Sequence, residues 1–270
     1  MFTTEFPYGN PVAVVHDADN LTTKQMAAFA RWTNLSETTF LLSPSRPAAD
    51  YRLRIFTFSR ELPFAGHPTL GSARAWLAAG HIPQQTGEVV QECGAGLVPV
   101  RRDGARLWFA APPLLRGGPV ASADLPALAA ALRIESEAVV AAQWADNGPG
   151  WVAVLLASAD AVLAVEPDYA RFGDFTAVGV VGPYPAGSEV AFEVRAFIDE
   201  GSRFEEDPVT GSLNAAIAQW LIPAGLAPAQ YVAAQGTVLG RLGRVHLSQH
   251  GGQIWVGGDT VLGITGHLEV

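Results

Sequence analysis

Two stretches decide the fold: Glu61-Leu-Pro63-Phe-Ala-Gly66-His67 (ELPFAGH, 61–67) and Glu206-Asp-Pro208-Val-Thr-Gly211-Ser212 (EDPVTGS, 206–212). They share the form E-x-P-x-x-G-[HS] at an offset of 145 residues. Each follows an Arg-x-Phe ending, Arg54-Ile-Phe56 and Arg195-Ala-Phe197, and each enters a segment of helical character. Strand, Pro–Gly loop and helix, twice over, predict a duplicated α+β unit. On this reading the two helix entrances face each other across a cleft between similar halves.

Outward from these stretches the chain alternates strands and helices. In the first half, strands are expected at 10–15, 38–42 and 51–56, the last with the polar/apolar alternation of a half-exposed strand. An amphipathic helix is expected over 21–32, with Leu21, Met26, Phe29 and Trp32 on one face and Lys24 on its polar flank. A second helix is read from 68 to 77, ending near Gly80, followed by short strands at 88–90, 97–100 and 106–109. APPLLRGGP (111–119) is the best linker. The second half offers helices over 125–132 and 212–222, and strands at 151–156 and 190–197. RVHLSQHGGQIWVGG reads as a hairpin turning at HGG, and DTVLGITGHLEV as one more short strand run.

Composition excludes several classes of function. Of 270 residues, 49% are apolar and 16% charged, which suits a packed core and not a disordered chain. No run approaches the roughly 20 apolar residues of a membrane span, and MFTTEFPYGNP lacks the pattern of a secretory signal. A formal charge of −9 argues against tracking nucleic-acid phosphates. The single cysteine, Cys93, excludes an internal disulfide, a cysteine-rich zinc site and two-thiol epimerisation, and reads as a small packed strand residue. The single lysine, Lys24, reads as a solvated charge, which speaks against pyridoxal phosphate. His246 and His250 lie on a predicted strand with no third ligand, so no metal is expected. There is no G-x-G-x-x-G after a strand and no P-loop, and Ser212 lacks the context of a hydrolase elbow.

The helix entrances are the most informative candidates. A helix N-terminus offers unpaired N–H groups and partial positive charge. Glycine there, at Gly66 and Gly211, lets a ligand approach the backbone, so a carboxylate can be held without Lys or Arg. Asp207 is either a turn or N-cap aspartate before a first-turn proline, or a carboxylate aimed at the cleft. His67 is either a loop histidine packed on aromatics or an acid/base titrating near neutrality. Glu37, in LSETTFLL, is either an edge residue or a carboxylate whose apolar setting lets it take and return a proton.

FPYGNPVAVV (6–15), LSETTFLL (35–42), RIFTFSRELPFAGHPTLGSA (54–73), EDPVTGS (206–212) and IWVGGDTVLGITGHL (254–268) together resemble the PhzF-like family of phenazine-biosynthesis isomerases, nearly end to end. The resemblance implies the α+β, diaminopimelate epimerase-like fold: two pseudo-symmetric halves, each a sheet wrapped around a central helix. The halves are expected at 1–115, completed by a C-terminal strand at about 258–270, and at 120–257. It further implies a cytoplasmic homodimer using no metal or organic cofactor, with no nucleic-acid or membrane partner.

By motif, the family's catalytic glutamate, histidine and aspartate fall on Glu37, His67 and Asp207, and Gly66, Gly211 and Ser212 are implied to bind substrate. The implied activity is isomerisation or epimerisation of a small carboxylate metabolite by proton transfer. A non-catalytic small-molecule binding protein that keeps the fold is the alternative. The chain departs from its relatives in starting at MFTTEFP, where several more residues usually form a first strand. It also has LNAAI after Ser212 where AHCAL is common, and no proline in RLGRV (241–245).

Overall fold

The structure is a computed structural model, and it describes residues 1–199 and 204–269. The chain divides into two compact units: 1–110 with 257–270, and 111–256. Unit 1 runs β1 (Val12–Val15), α1 (Thr23–Thr33), β2 (Glu37–Leu42), β3 (Tyr51–Phe56), β4 (Glu61–Leu62), α2 (Gly66–Ala78), β5 (Glu88–Cys93), β6 (Gly96–Asp103) and β7 (Arg106–Ala110). Unit 2 runs β8 (Arg116–Pro119), α3 (Leu125–Leu132), β9 (Ala141–Asp146), β10 (Trp151–Leu155), α4 (Ala159–Leu163), β11 (Ala177–Pro183), β12 (Phe192–Asp199), β13 (Phe204–Asp207), α5 (Gly211–Leu221), β14 (Gln230–Gln235), β15 (Gly243–His250) and β16 (Gln253–Gly258). The last two residues of β16 belong to unit 1.

The units repeat one topology. The sheet of unit 1 is ordered β1-β2-β3-β5-β6-β7, with β4 added to β3. In unit 2 the matching run is β10-β11-β12-β14-β15-β16, with β13 added to β12, and β8 and β9 extend it beyond β10. β1–β2 and β10–β11 are parallel, as are β3–β5 and β12–β14. Both small hairpins keep the same register: Phe56 lies opposite Glu61, and Phe197 opposite Glu206.

That register aligns the same ion pair in each unit. Arg54 Nε and Nη2 donate to Glu61 Oε1 and Oε2 at 2.7 and 2.6 Å. Arg195 makes the same fork to Glu206 at 2.9 and 2.8 Å. Each guanidinium also lies about one ring's width from the next phenylalanine, 5.0 Å from the Phe56 centroid and 5.1 Å from that of Phe197. The repeat seen in the sequence is therefore a physical clamp that fixes the strand to the loop entering the helix.

The helix so entered is the centre of each unit. α2 packs against β1, β2, β5, β6 and β7, and α5 against β9, β10 and β15. Both helices are apolar nearly all round, which suits enclosure and not a surface. Small residues permit the close approach. A Cβ on Gly71 of α2 would lie 2.5 Å from Val12 Cγ1 of β1, and one on Gly179 of β11 would lie 2.3 Å from Leu213 of α5. Away from these helices, Val152, Val154, Val178, Val180 and Phe197 anchor one core in unit 2 with Leu128 and Leu132 of α3 and Val162 of α4. Met26, Phe40 and Phe56 anchor another in unit 1.

Three expectations are corrected. Trp32 is 78% exposed and stacks on Phe29, because at 3.6 residues per turn it lies well off the line of the buried Met26 and Ala30; α1 starts only at Thr23, so Leu21 precedes the helix. α2 starts at Gly66, two residues before the expected start, and so includes His67. The segment 259–269 forms no strand. It is held by side chains instead: Asp259 takes Arg106 at 2.9 Å, and Gly263 lies against the ring of Phe6. Glycines interrupt this run, and Val261, Leu262 and Ile264 are exposed.

The two clamps differ in burial. Arg195 and Glu206 side chains are 4% and 8% exposed, those of Arg54 and Glu61 24% and 40%. Removing one partner of a buried pair costs about 3–5 kcal/mol, against about 0–1 kcal/mol at the surface. Arg195→Met is expected to lower unfolding free energy in urea by about 3 kcal/mol or more, and Arg54→Met by less than about 1 kcal/mol. Equal losses would contradict the assignment of Arg195–Glu206 as the buried clamp.

Candidate active site

In unit 1 the topology brings Glu37 to His67. α1 ends at Asn34 in the left-handed region (φ 53°), and the chain turns through Leu35 and Ser36 to start β2 at Glu37. β2 pairs with β1, Val12 opposite Glu37, and α2 crosses both strands. His67, in the first turn of α2, places Nε2 3.1 Å from Glu37 Oε2. Their side chains are 6% and 14% exposed, so the carboxylate is the more accessible partner.

The hydrogen bonds define where the protons sit. His67 is hydrogen-bonded to the backbone of Pro11, which has only a carbonyl to offer, so the ring donates. Nε2 makes no hydrogen bond of its own, so the donor is Nδ1–H. The near-neutral histidine expected from sequence is corrected: burial first, then the Met1 ammonium, push His67 down to about 3, and the Pro11 bond opposes them only in part. A neutral ring with Nδ1–H presents a lone pair from Nε2 to a carboxylate oxygen. Two acceptors at 3.1 Å repel unless one proton lies between them. At this distance a protonated Glu37 carboxyl can donate to Nε2.

Gly66 has a packing reason. A Cβ there would lie 2.5 Å from Cζ of Phe109, so its bareness serves the fit of α2 on β7. Neither α2 nor α5 carries a side-chain N-cap.

In unit 2, Asp207 ends β13 and Thr210 is the N-cap residue of α5. Pro208 is therefore outside the helix, and Asp207 is no N-cap; its Oδ2 accepts the hydroxyl of Thr210. Gly211 is buried as the first residue of α5. Ser212 Oγ accepts from the indole Nε1–H of fully buried Trp151 at 3.1 Å, and Ser212 O accepts from Asn147 Nδ2 at 2.9 Å. That use of the hydroxyl is a positioning contact and not the base contact of a hydrolase serine.

Sequence reasoning missed Trp151, Asn147, Thr210, Gln235 and Asn214, which support the entrance of α5. Trp151 lies in the expected strand 151–156, Thr210 in EDPVTGS and Asn214 in LNAAI, but nothing in those stretches marks them as supports of a helix entrance, and Asn147 and Gln235 lie in no quoted stretch. Among the described residues no cluster of three His, Cys, Asp or Glu is arranged to hold a metal. No helix among them is long and apolar enough to cross a membrane.

Comparison with known proteins agrees with this architecture. Residues 1–266 match the family described as "Phenazine biosynthesis-like protein". The chain is 38% identical over 249 residues to "Antisense-enhancing sequence 1" of Schizosaccharomyces pombe, covering 86% of this chain and 82% of that one. It is 38% identical over 177 residues to the trans-2,3-dihydro-3-hydroxyanthranilate isomerase of Pseudomonas fluorescens, covering 62% of this chain and 59% of that one. Among solved structures, a phenazine biosynthesis protein of the PhzF family from Bacillus anthracis superposes with a TM-score of 0.80 at 22% identity, over 95% and 92% of the two chains. The fold is the α+β, epimerase-like one that the sequence motifs implied.

With its pKa lowered from 6.5 to about 3, His67 refuses a proton that the unfolded chain accepts. Stability therefore falls as pH is lowered through that window. Ring ¹⁵N spectra are expected to show His67 neutral, with the proton on Nδ1, from neutral pH down to about pH 4. An Nε2–H tautomer, or titration near 6.5, would contradict the assignment of a neutral ring with its proton on Nδ1.

Proposed function

Because this chain belongs to the phenazine biosynthesis-like (PhzC–PhzF) family, we propose that it is an isomerase that shifts a proton within a small carboxylate metabolite. The observation that carries this reading is the 3.1 Å contact between Glu37 Oε2 and His67 Nε2 at the start of β2, a carboxylate able to take one proton beside a lone pair that can accept from it once it has done so. In the proposed reaction Glu37 takes a proton from a carbon acidified by conjugation. The electron pair moves into the conjugated system, and the proton returns at another carbon, so nothing is oxidised or reduced. His67 accepts hydrogen bonding from the protonated carboxyl and so stabilises Glu37 in the state between the two transfers.

Asp207 holds or protonates polar groups of the substrate. Gly66, Gly211 and Ser212, at the helix entrances, are the proposed substrate-binding residues, through their first-turn N–H groups. The uncapped entrances of α2 and α5 support this role, since their first-turn donors are not consumed by a side chain. No cofactor is needed for such a shift. The setting we propose is a cytoplasmic homodimer: a single cysteine leaves the chain no internal disulfide to form, and the dimer rests on the resemblance. The relative's isomerase makes trans-2,3-dihydro-3-hydroxyanthranilate the first substrate to try.

The test is proton exchange in D₂O, followed by NMR, with that compound and a panel of small unsaturated and amino carboxylic acids. Wild type is expected to introduce deuterium, and Glu37→Gln to lose at least about 100-fold of the rate while still binding. Equal exchange by the variant would remove Glu37 from the reaction. Thermal stabilisation by a panel member without any exchange would favour a binding protein.

A further inference from the structure

The entrance of α5 contains one fully satisfied polar cluster whose purpose the fold alone does not explain. Gln235, at the end of β14, is 1% exposed. Its Oε1 accepts from Thr210 N at 2.9 Å and from Asn214 Nδ2 at 2.8 Å. Its Nε2 donates to Asp207 O at 3.1 Å and to Thr210 Oγ1 at 2.9 Å. Asn214, also 1% exposed, donates in addition to Thr210 O at 2.9 Å.

The direction of every bond here is fixed by groups that cannot reverse. Thr210 N–H can only donate and Asp207 C=O can only accept, so the amide of Gln235 has one possible orientation. Gln235 therefore donates to the Thr210 hydroxyl and occupies it as an acceptor. The hydroxyl's single proton is left to point at Asp207 Oδ2, which it reaches. Replacing Gln235 by a residue without a donor frees Thr210 to turn elsewhere.

Unit 1 lacks the payload of this arrangement. Gln91 of β5 likewise reaches the first turns of α2, donating to Thr69 Oγ1 at 3.1 Å, and accepts from Tyr51 at 3.3 Å. The residue equivalent to Asp207 is there Leu62. A buried glutamine beside the central helix serves packing in both units, but only in unit 2 is it linked to a carboxylate.

We infer that Gln235 is a positioning residue for Asp207, acting through the hydroxyl of Thr210 to aim one proton at Oδ2 and fix the carboxylate's orientation. This rests on the assignment of Asp207 to the substrate site, yet its test does not need turnover.

The experiment is a ¹³C NMR titration of the full chain labelled at aspartate Cγ, the Asp207 signal being the one lost in Asp207→Asn. Losing a hydrogen bond to the charged form raises proton affinity. Thr210→Val is expected to tighten proton binding at Asp207 by about tenfold, and Thr210→Ser to leave it as in wild type. Gln235→Met is expected to move it the same way in the wild-type background and to add nothing in the Thr210→Val background. If Gln235→Met does not fold, Gln235→Glu keeps shape and acceptor while removing the donor, and comparison across both backgrounds subtracts its added charge. An unmoved titration in Thr210→Val overturns the inference. So does an effect at Gln235 of equal size in both backgrounds. A normal cluster in a chain that fails to exchange deuterium would overturn the proposed function and leave this inference standing.

Discussion

The Arg–Glu fork at the small hairpin of each unit is the constraint on which the rest depends. A central helix enclosed by its own sheet must be entered at one place and one angle. The loop that enters it is three residues long and opens with a proline in each unit, Pro63 and Pro208. Two parallel hydrogen bonds from one guanidinium to one carboxylate tie the short strand that leads into that loop to the neighbouring strand. In unit 2 the same arginine also caps buried carbonyls, donating to Val162 O at 3.2 Å and to Val165 O. An ion pair there without those extra bonds would be a net cost to folding.

On this common frame the two units have diverged at a few positions. Unit 1 has Glu37 where β11 has Ala177, and His67 where α5 has Ser212. Unit 2 has Asp207 where β4 has Leu62. One unit therefore carries a glutamate–histidine contact, the other an aspartate tied to a threonine hydroxyl. The burial that lowers the proton affinity of His67 leaves its side chain less exposed than that of Glu37.

Much of the architecture was legible. The alternation in 51–56 gives β3 to the residue, the Ala-rich run gives α3, and HGG gives the turn between β15 and β16. Gly251 and Gly252 there both adopt positive φ, 57° and 81°, as such a turn requires. The strands that escaped have a shared cause. β11 (AVGVVGP) is buried on both faces, so its apolar residues do not alternate, and β14 (QYVAAQ) hides its strand character among alanines. β8 (RGGP) is a strand only because β9 pairs with it. The motifs named Glu37, His67, Asp207 and Ser212 one by one. That Glu37 and His67 touch was not legible, since thirty residues and two strand crossings separate them. Gln235 left no trace at all, because one polar residue in an apolar strand has no local pattern.

The unequal burial of the two forks has a consequence for solution conditions. Counter-ions reach the Arg54–Glu61 pair and weaken it as ionic strength rises, whereas the Arg195–Glu206 pair lies where they do not penetrate. The same bond, duplicated, therefore comes in one salt-responsive and one salt-indifferent copy. A concentrated electrolyte loosens one helix entrance's fork while the other keeps its grip.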